Sequence, residues 1–420
     1  MSEQTKSGLS GYQIFVIVIL TILQFTVVLD FMILSPLSAV LLDELSIDTE
    51  QFGLVVSSYA FSAGAAGLLA SGFADRFDRK KMMLFFYTGF VFGTFLCGIA
   101  PDYHFLMMAR IVTGIFGGVI SSIVYAMVTD IFPMQYRGRV MSFVQLGFAL
   151  SQVLGIPLGL YLTTKYNWHA PFLLIVGASI PIGIIIFFFL RPINAHLKLQ
   201  TSENTYANLL RVVRTPQYIQ GFAATTLLAT GGFMLMPFGT AFGVHNLGIS
   251  LDQLPVLYVV TGLSLLIFSP AIGYFSDKIG KFKMFIAGSI VTAIMTVVYC
   301  NLEVTPFWNI VVLNIILFVG ITGRMISASA LMTAIPEPKD RGTFMGINSS
   351  IQQISGGVAS LIAGFIVYKT STGYIENYPL LGYVVVAAAF LTVLQMYKVH
   401  KYVTAKLQTD SSAINPTANS

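Results

Sequence analysis

Twelve stretches of the 420-residue sequence run for seventeen residues or more with at most one charged side chain in each. They fall at about 12–40, 52–73, 82–100, 104–127, 140–163 and 170–190, then 218–245, 254–275, 284–300, 307–330, 344–368 and 379–397. Crossing the hydrocarbon core of a bilayer takes about 20 largely apolar residues in a helix, and in lipid every backbone polar group must be satisfied within the protein. The pattern predicts an all-α membrane protein of twelve transmembrane helices. Only 10% of the residues are charged, against about 25% in an ordinary soluble domain, which excludes packing in water. The first run is longer than a signal-peptide core and lacks a convincing cleavage site, so it is expected to remain as helix 1.

One long polar stretch, Arg191 to Gln217, separates six spans from six. The predicted organisation is an N-terminal six-helix bundle over 1–190, a central cytoplasmic loop over 191–217 with a short amphipathic helix around Tyr206 to Val213, a C-terminal six-helix bundle over 218–397, and a cytoplasmic tail over 398–420. If the termini and the even-numbered loops share one side, that side holds nineteen of the 23 Lys and Arg residues, while the other holds only Lys165 and Lys369. The remaining two, Arg110 and Arg324, lie inside spans. By the positive-inside rule both termini are expected in the cytoplasm, the chain sitting in a bacterial inner membrane. The net charge of +5 is thereby spent on orientation, and no nucleic-acid partner is expected.

The two halves echo one another. After span 2 comes Ser71-Gly-Phe-Ala-Asp75-Arg76-Phe-Asp78-Arg79-Lys80-Lys81, and after span 8 comes Gly273-Tyr-Phe-Ser-Asp277-Lys278-Ile-Gly280-Lys281. The two leading aspartates are 202 residues apart, and the pair Arg137-Gly138 and Arg341-Gly342, after spans 4 and 10, repeats at 204. A common offset implies duplicated six-helix units, an arrangement in which substrate sites lie between the repeats near the bilayer midplane.

The loop after span 2 resembles the signature of the major facilitator superfamily, G-x-x-x-D-R-x-G-R-[KR], with Asp75, Arg76, Arg79, Lys80 and Lys81 in register and with Ser71 and Asp78 where the family has glycine. The second copy keeps both glycines, Gly273 and Gly280, beside Asp277 and Lys278. Span 4 carries Arg110-Ile-Val-Thr-Gly114-Ile-Phe-Gly117-Gly118, similar to the family's R-x-x-x-G-x-x-x-[GA] helix. Span 5 carries Gly147, Gly155, Pro157 and Gly159, similar to a glycine-proline signature of its exporters, with the usual Gly-Pro pair split by Ile156. The resemblance covers essentially the whole chain. It implies two pseudo-symmetric six-helix bundles, a cytoplasmic gate built on the loop motifs, a hinge in helix 5, and membership of the drug/proton antiporter branch.

Asp30, Arg110 and Arg324 are the ionic side chains deep within spans, where a charge is costly unless paired or hydrated and marks a functional site by default. Asp30 lies 13 residues before Asp43, about 20 Å inward at 1.5 Å per residue. Arg110 lies 8 residues after Asp102, about 12 Å inward by the same rise, so the two can meet across a cavity with the arginine reaching down. Asp30 is expected to bind the coupling proton with Arg110 opposite it; the alternative is a static pair that braces the bundle. Arg324, 17 residues into span 10, is not the repeat partner of Arg110, that position being Asn314. It either binds an anionic substrate group or snorkels to the interface.

Other cavity candidates are Gln24, Tyr59, Tyr125, Gln145, Gln152, Asn314, Asn348, Gln352 and Gln353, each equally able to do no more than bond a neighbouring helix. His104 and His245 fall near outer span ends, and Cys97 and Cys300 match no metal or redox spacing. No phosphate-binding loop, metal cluster or nucleophile-base pair is recognisable, so neither an enzyme nor a cofactor is expected. The leading expectation is proton-coupled efflux of small amphipathic compounds by alternating access, working as a monomer. The alternatives are a transporter for a defined sugar or organic anion and a non-transporting membrane sensor with the same fold.

Overall fold

The computed structural model describes residues 10–71, 77–194, 197, 205–337 and 340–414. In the N-terminal half, α1 (Gly11–Ile33) starts at a capping box made by Ser10 and Gln13. The short α2 (Ser38–Glu44) continues it after a turn, and α3 (Thr49–Ser71), α4 (Arg79–Gly98) and α5 (Tyr103–Ile131) follow. Then come α6 (Met134–Leu150), a π-helical turn over Ser151–Gly155, α7 (Ile156–Lys165) and α8 (Ala170–Phe189). In the C-terminal half, the amphipathic α9 (Thr205–Arg214) leads into α10 (Pro216–Leu235). A 3₁₀ turn and α11 (Gly239–His245) extend that span, and α12 (Leu254–Ile279), α13 (Lys281–Cys300), α14 (Phe307–Ala334) and α15 (Arg341–Ile366) follow. A hairpin of two-residue strands, β1 (Tyr368–Lys369) and β2 (Ile375–Glu376), precedes α16 (Tyr378–Ile414).

Among the described residues eleven helices are long and apolar enough to cross a membrane, α6 with α7 and α10 with α11 each counting as one. The twelfth span is α15, of 26 residues. Its Asn348, Ser349, Ser350, Gln352, Gln353 and Ser355 make it too polar for an apolar measure. It is sandwiched between α3 and α10, where Asn348 and Ser350 are buried and Gln352, Gln353 and Ser355 half-buried. The boundary expected at 397 falls inside α16, which runs on to Ile414. There Lys406 donates to the carbonyls of Ala334, Ile335 and Pro336 and ties the extension to the end of α14.

Two spans read as continuous in the sequence are broken. Pro36 and Pro237 lack the N–H that would close the helix one turn back, and the chain turns between α1 and α2 and again between α10 and α11. The breaks are repeat partners, 201 residues apart, and they touch: the Ser35 hydroxyl donates to the Met236 carbonyl. Beside them the Ser38 hydroxyl accepts from the Ala241 amide at 3.1 Å.

Further contacts join the halves at this same end. α3 and α15 run antiparallel, with Gly53 against Gly364 and Gly64 against Ser350 and Ile354, small residues letting the backbones close up. Thr49 donates to the carbonyls of Gly364 and Val367, and Ser57 donates to the Gly357 carbonyl at 2.8 Å. α12 leans on α7 and the π turn, with Gly262 against Val153. Outermost, Asp43 pairs with Lys369, and the His245 ring lies 3.9 Å from the same carboxylate. Towards the opposite end, α6 exposes Gln145, Leu146 and Phe148, and the second half of α12 exposes Ile267, Phe268 and Tyr274.

The Asp43–Lys369 pair is half exposed on its acidic side, so it contributes no more than about 1 kcal/mol. Removing it with Lys369→Gln is expected to raise the open population of this end by up to about fivefold. A cysteine placed at Ser38 and labelled with an impermeant maleimide reports the change; an unaltered labelling rate shows that the pair does not hold this end shut.

Candidate functional site

The buried face of α1 carries Gln24, Thr26, Val27, Asp30 and Ile33, an i, i+3, i+4 progression that turns a lone carboxylate into the N-terminal bundle. Asp30 is wholly buried and Arg110, on α5, is 1% exposed. Arg110 Nη1 donates to Asp30 Oδ2 at 2.8 Å and to the Asp30 carbonyl at 3.3 Å. Thr94 Oγ1, on α4, donates to the other carboxylate oxygen at 3.0 Å. The guanidinium carbon stands 4.4 Å from the centre of the Tyr59 ring, on α3, a cation–π contact strengthened by the absence of water. Both carboxylate oxygens are thus satisfied, while Arg110 Nε has no hydrogen-bond partner among the described residues.

Spacing along α5 explains how the arginine is delivered. Arg110, Gly114 and Gly118 recur every fourth residue and share one face. A Cβ on Gly114 would come 2.6 Å from the Tyr59 carbonyl, and one on Gly118 2.5 Å from the Ala63 backbone. The glycines let α3 lie directly on α5, which brings the Tyr59 ring over the arginine one turn away.

Between the halves lies a cavity of about 90 Å³, lined among others by Val27, Phe31, Tyr59, Gly117, Ser121 and Gln353. That is room for about three waters. A smaller gap of about 10 Å³, lined by Arg110, Ser35, Phe233 and Met236, lies on the other side of Phe31. Phe31 borders both spaces, its ring 5.3 Å from Tyr59 and 5.9 Å from Phe233. Phe31 and Tyr59 are thus the aromatic residues shared between the main cavity and the surroundings of Arg110.

The structure brings Tyr59 and Gln353 from the sequence candidates to this cavity. Gln24 reaches its edge through a 3.4 Å bond with Ser121. Asn314 instead donates to Thr261 at 3.1 Å, and Asn348 accepts from Thr225 at 2.6 Å, both tying helices within the C-terminal bundle. Tyr125 and Gln145 are exposed on α5 and α6, Gln152 is half-buried in the π turn, and Gln352 is half-buried on α15. Arg324, 5% exposed, lies inside the C-terminal bundle with its guanidinium carbon 5.8 Å from the Phe285 ring centre. Sequence reasoning missed Thr94, Phe31 and Ser121; only Ser121 had a signal, one turn beyond Gly117.

Of the gate motif, Asp75 and Arg76 lie outside the described residues. Arg79 is bound to Asp130 at the end of α5, its Nε 3.0 Å from the carboxylate, and Lys80 donates to the Phe187 carbonyl at 2.9 Å. Asp78, where the family has glycine, caps α4 by accepting from the Lys81 amide at 3.1 Å, with φ −59°. The second copy needs its glycine because Gly280 has φ +101°, a conformation that a Cβ strains. Asp277 there pairs with Lys281, and Lys278 is exposed. The C-terminal half holds a pair not apparent in the sequence, Arg211 of α9 binding Asp340 at the start of α15 through two nitrogens at 2.5 and 3.1 Å, with the Tyr218 hydroxyl also on that carboxylate.

In span 5, Gly147, Gly155 and Gly159 press against α1, where added Cβ atoms would come within 2.5 to 2.6 Å of Thr21, Leu29 and Ile33. Pro157 lacks the N–H that an unbroken helix would give Val153, and the π turn over Ser151–Gly155 sits just before it.

This duplicated two-bundle architecture matches what sequence comparison finds. The profile of the Major Facilitator Superfamily matches residues 20–245 and again 221–416. The chain belongs to this superfamily. It is similar to the uncharacterized MFS-type transporter YceJ of Bacillus subtilis, 26% identical over 82% of this chain and 87% of that protein. A probable sugar efflux transporter of Helicobacter acinonychis is 22% identical over 78% of this chain and 82% of its own. Among solved structures, the nucleoside transporter NupG superposes with a TM-score of 0.73 over 92% of this chain and 99% of that one, at 13% identity, a likeness of fold. The superfamily chain described here is a multi-pass membrane transporter of small molecules and not an enzyme.

Proposed function

We propose that this transporter exports small amphipathic compounds from a bacterial cytoplasm in exchange for protons, with Asp30 as the proton-binding group. The observation that carries the reading is a carboxylate buried completely in the N-terminal bundle and held by an arginine whose guanidinium lies on Tyr59, a residue of the inter-bundle cavity wall. A proton arriving on Asp30 forms the neutral acid and cancels its attraction for Arg110. The guanidinium then keeps the Tyr59 ring and the Asp30 carbonyl, and because Tyr59 also lines the cavity, the change reaches the cargo space. Removal of the proton restores the pair. With the termini placed in the cytoplasm by the positive-inside rule, the end closed by α2, α7, α11 and the hairpin faces outward, and the conformation described is closed to the outside.

Efflux rather than uptake is supported by the resemblance of span 5 to exporters and by the similarity to a probable sugar efflux transporter. The main cavity sets Val27, Val28, Phe31 and Ala63 beside Tyr59, Ser121, Ser349, Ser350 and Gln353, a mixed lining that suits cargo with both an apolar body and a polar group.

In proteoliposomes loaded with a panel of fluorescent amphipathic compounds, an imposed proton gradient is expected to drive transport by the wild type. Asp30→Asn keeps the shape of the pair but cannot release a proton, and is expected to lose gradient-driven transport at least tenfold while facilitated exchange without a gradient persists. Unchanged coupling in Asp30→Asn rules out the proton role.

A further inference from the structure

Arg324 differs from Arg110 in one respect that its chemistry makes conspicuous. The two are buried alike, but among the described residues Arg324 has no carboxylate within 4.0 Å, and its Nε and Nη2 are buried without a hydrogen-bond partner. Nearby polar groups are already engaged: the Ser289 hydroxyl donates to the Phe285 carbonyl, and Ser327 pairs with Ser276. Snorkelling does not relieve the charge, because Arg324 lies ten residues before the end of α14, about 15 Å by the helical rise.

The orphaned atoms are informative. Nε and Nη2 form one edge of the planar guanidinium, the edge on which a carboxylate docks through two parallel hydrogen bonds. Packing around the residue is uneven. Gly288 lets α13 approach so closely that a Cβ there would stand 2.9 Å from the Arg324 amide nitrogen. On α10, the place a Cβ of Gly231 would occupy is 3.9 Å from Arg324 Nη1, and one on the exposed Gly232 would meet nothing within 4 Å. Two adjacent glycines thus leave α10 without side chains where it faces Nη1, a window at the end of the guanidinium. The surroundings otherwise include the Phe285 ring and Val385, both apolar.

We propose that Arg324 recognises an anionic group on the cargo, and that the cargo includes small monocarboxylates with an apolar body. One guanidinium with apolar neighbours matches one negative charge on a hydrophobic molecule, and a phosphate dianion would be left half compensated. The inference rests on the reading of the chain as a carrier of amphipathic compounds and is independent of the proton role of Asp30.

The test is equilibrium binding to the full chain in lipid nanodiscs, with benzoate and hexanoate compared with benzamide and hexanamide by calorimetry. The acids are expected to bind and the amides not to. Arg324→Gln is expected to weaken the acids at least tenfold, Arg324→Lys to recover part of that loss, and Gly231→Val, which fills the window and leaves the cation in place, to weaken them comparably. Without ligand, Arg324→Gln should unfold at the same temperature as the wild type or higher, since it removes an uncompensated buried charge. Equal binding of acid and amide, wild-type affinity in Arg324→Gln, competition by chloride as strong as by benzoate, or a lowered unfolding temperature in Arg324→Gln overturns the proposal. Because binding is read without a proton gradient, its failure leaves the Asp30 experiment unaffected, and failure of the Asp30 experiment leaves this one intact.

Discussion

Arg110→Gln is expected to be the most damaging single change in the N-terminal bundle. It leaves the Asp30 carboxylate, wholly buried and served by Arg110 at 2.8 Å, with Thr94 as its remaining side-chain donor. Breaking a buried pair from one side destabilises by about 3–5 kcal/mol, because the partner is stranded without compensation. Adding Asp30→Asn to the same chain removes the stranded charge, so the double variant should be more stable than Arg110→Gln alone. The measurement is unfolding in detergent followed by tryptophan fluorescence, Trp168 being buried in this bundle. If Arg110→Gln unfolds like the wild type, the two side chains are not a desolvated pair.

Gly118→Val is expected to act by shape alone. A side chain there meets the Ala63 backbone at 2.5 Å, and backbone cannot step aside as a flexible side chain can. Overpacking of this kind costs about 1–3 kcal/mol even where neighbours adjust; here α3 must lift away from α5. That also moves the Tyr59 ring off the guanidinium, so the variant should lose transport more steeply than stability. Gly117→Ala is a milder control, its nearest neighbour being the Tyr59 hydroxyl at 2.9 Å. Retention of full transport by Gly118→Val would show that the contact between α3 and α5 does not position the arginine.

These features were unequally legible in the amino-acid order. A carboxylate and an arginine inside lipid-spanning runs stand out because lipid makes them rare, and their depths, about 20 Å from Asp43 and about 12 Å from Asp102, leave a gap that a long arginine side chain can span. The twelve spans and the duplication were equally plain. Phe31 was invisible, being one of 34 phenylalanines in runs where every side chain is apolar and periodicity does not say which face looks inward. The breaks at Pro36 and Pro237 were also missed, since an uninterrupted apolar run masks a turn. Arg211 and Asp340 are 129 residues apart, and nothing local links them. Asp78 looked like a defect in a motif until its backbone angle showed that no glycine was required.

The bare guanidinium on α14 has an electrical consequence. A carrier that sends a monoanion out while admitting a proton shifts two elementary charges in the same sense on each turnover. An inside-negative potential supplies about 2.3 kcal/mol per charge for every 100 mV, so such an exchange gains about 4.6 kcal/mol per 100 mV, twice what a neutral passenger would draw. A cell with a flat pH profile but a polarised membrane would still expel the acid.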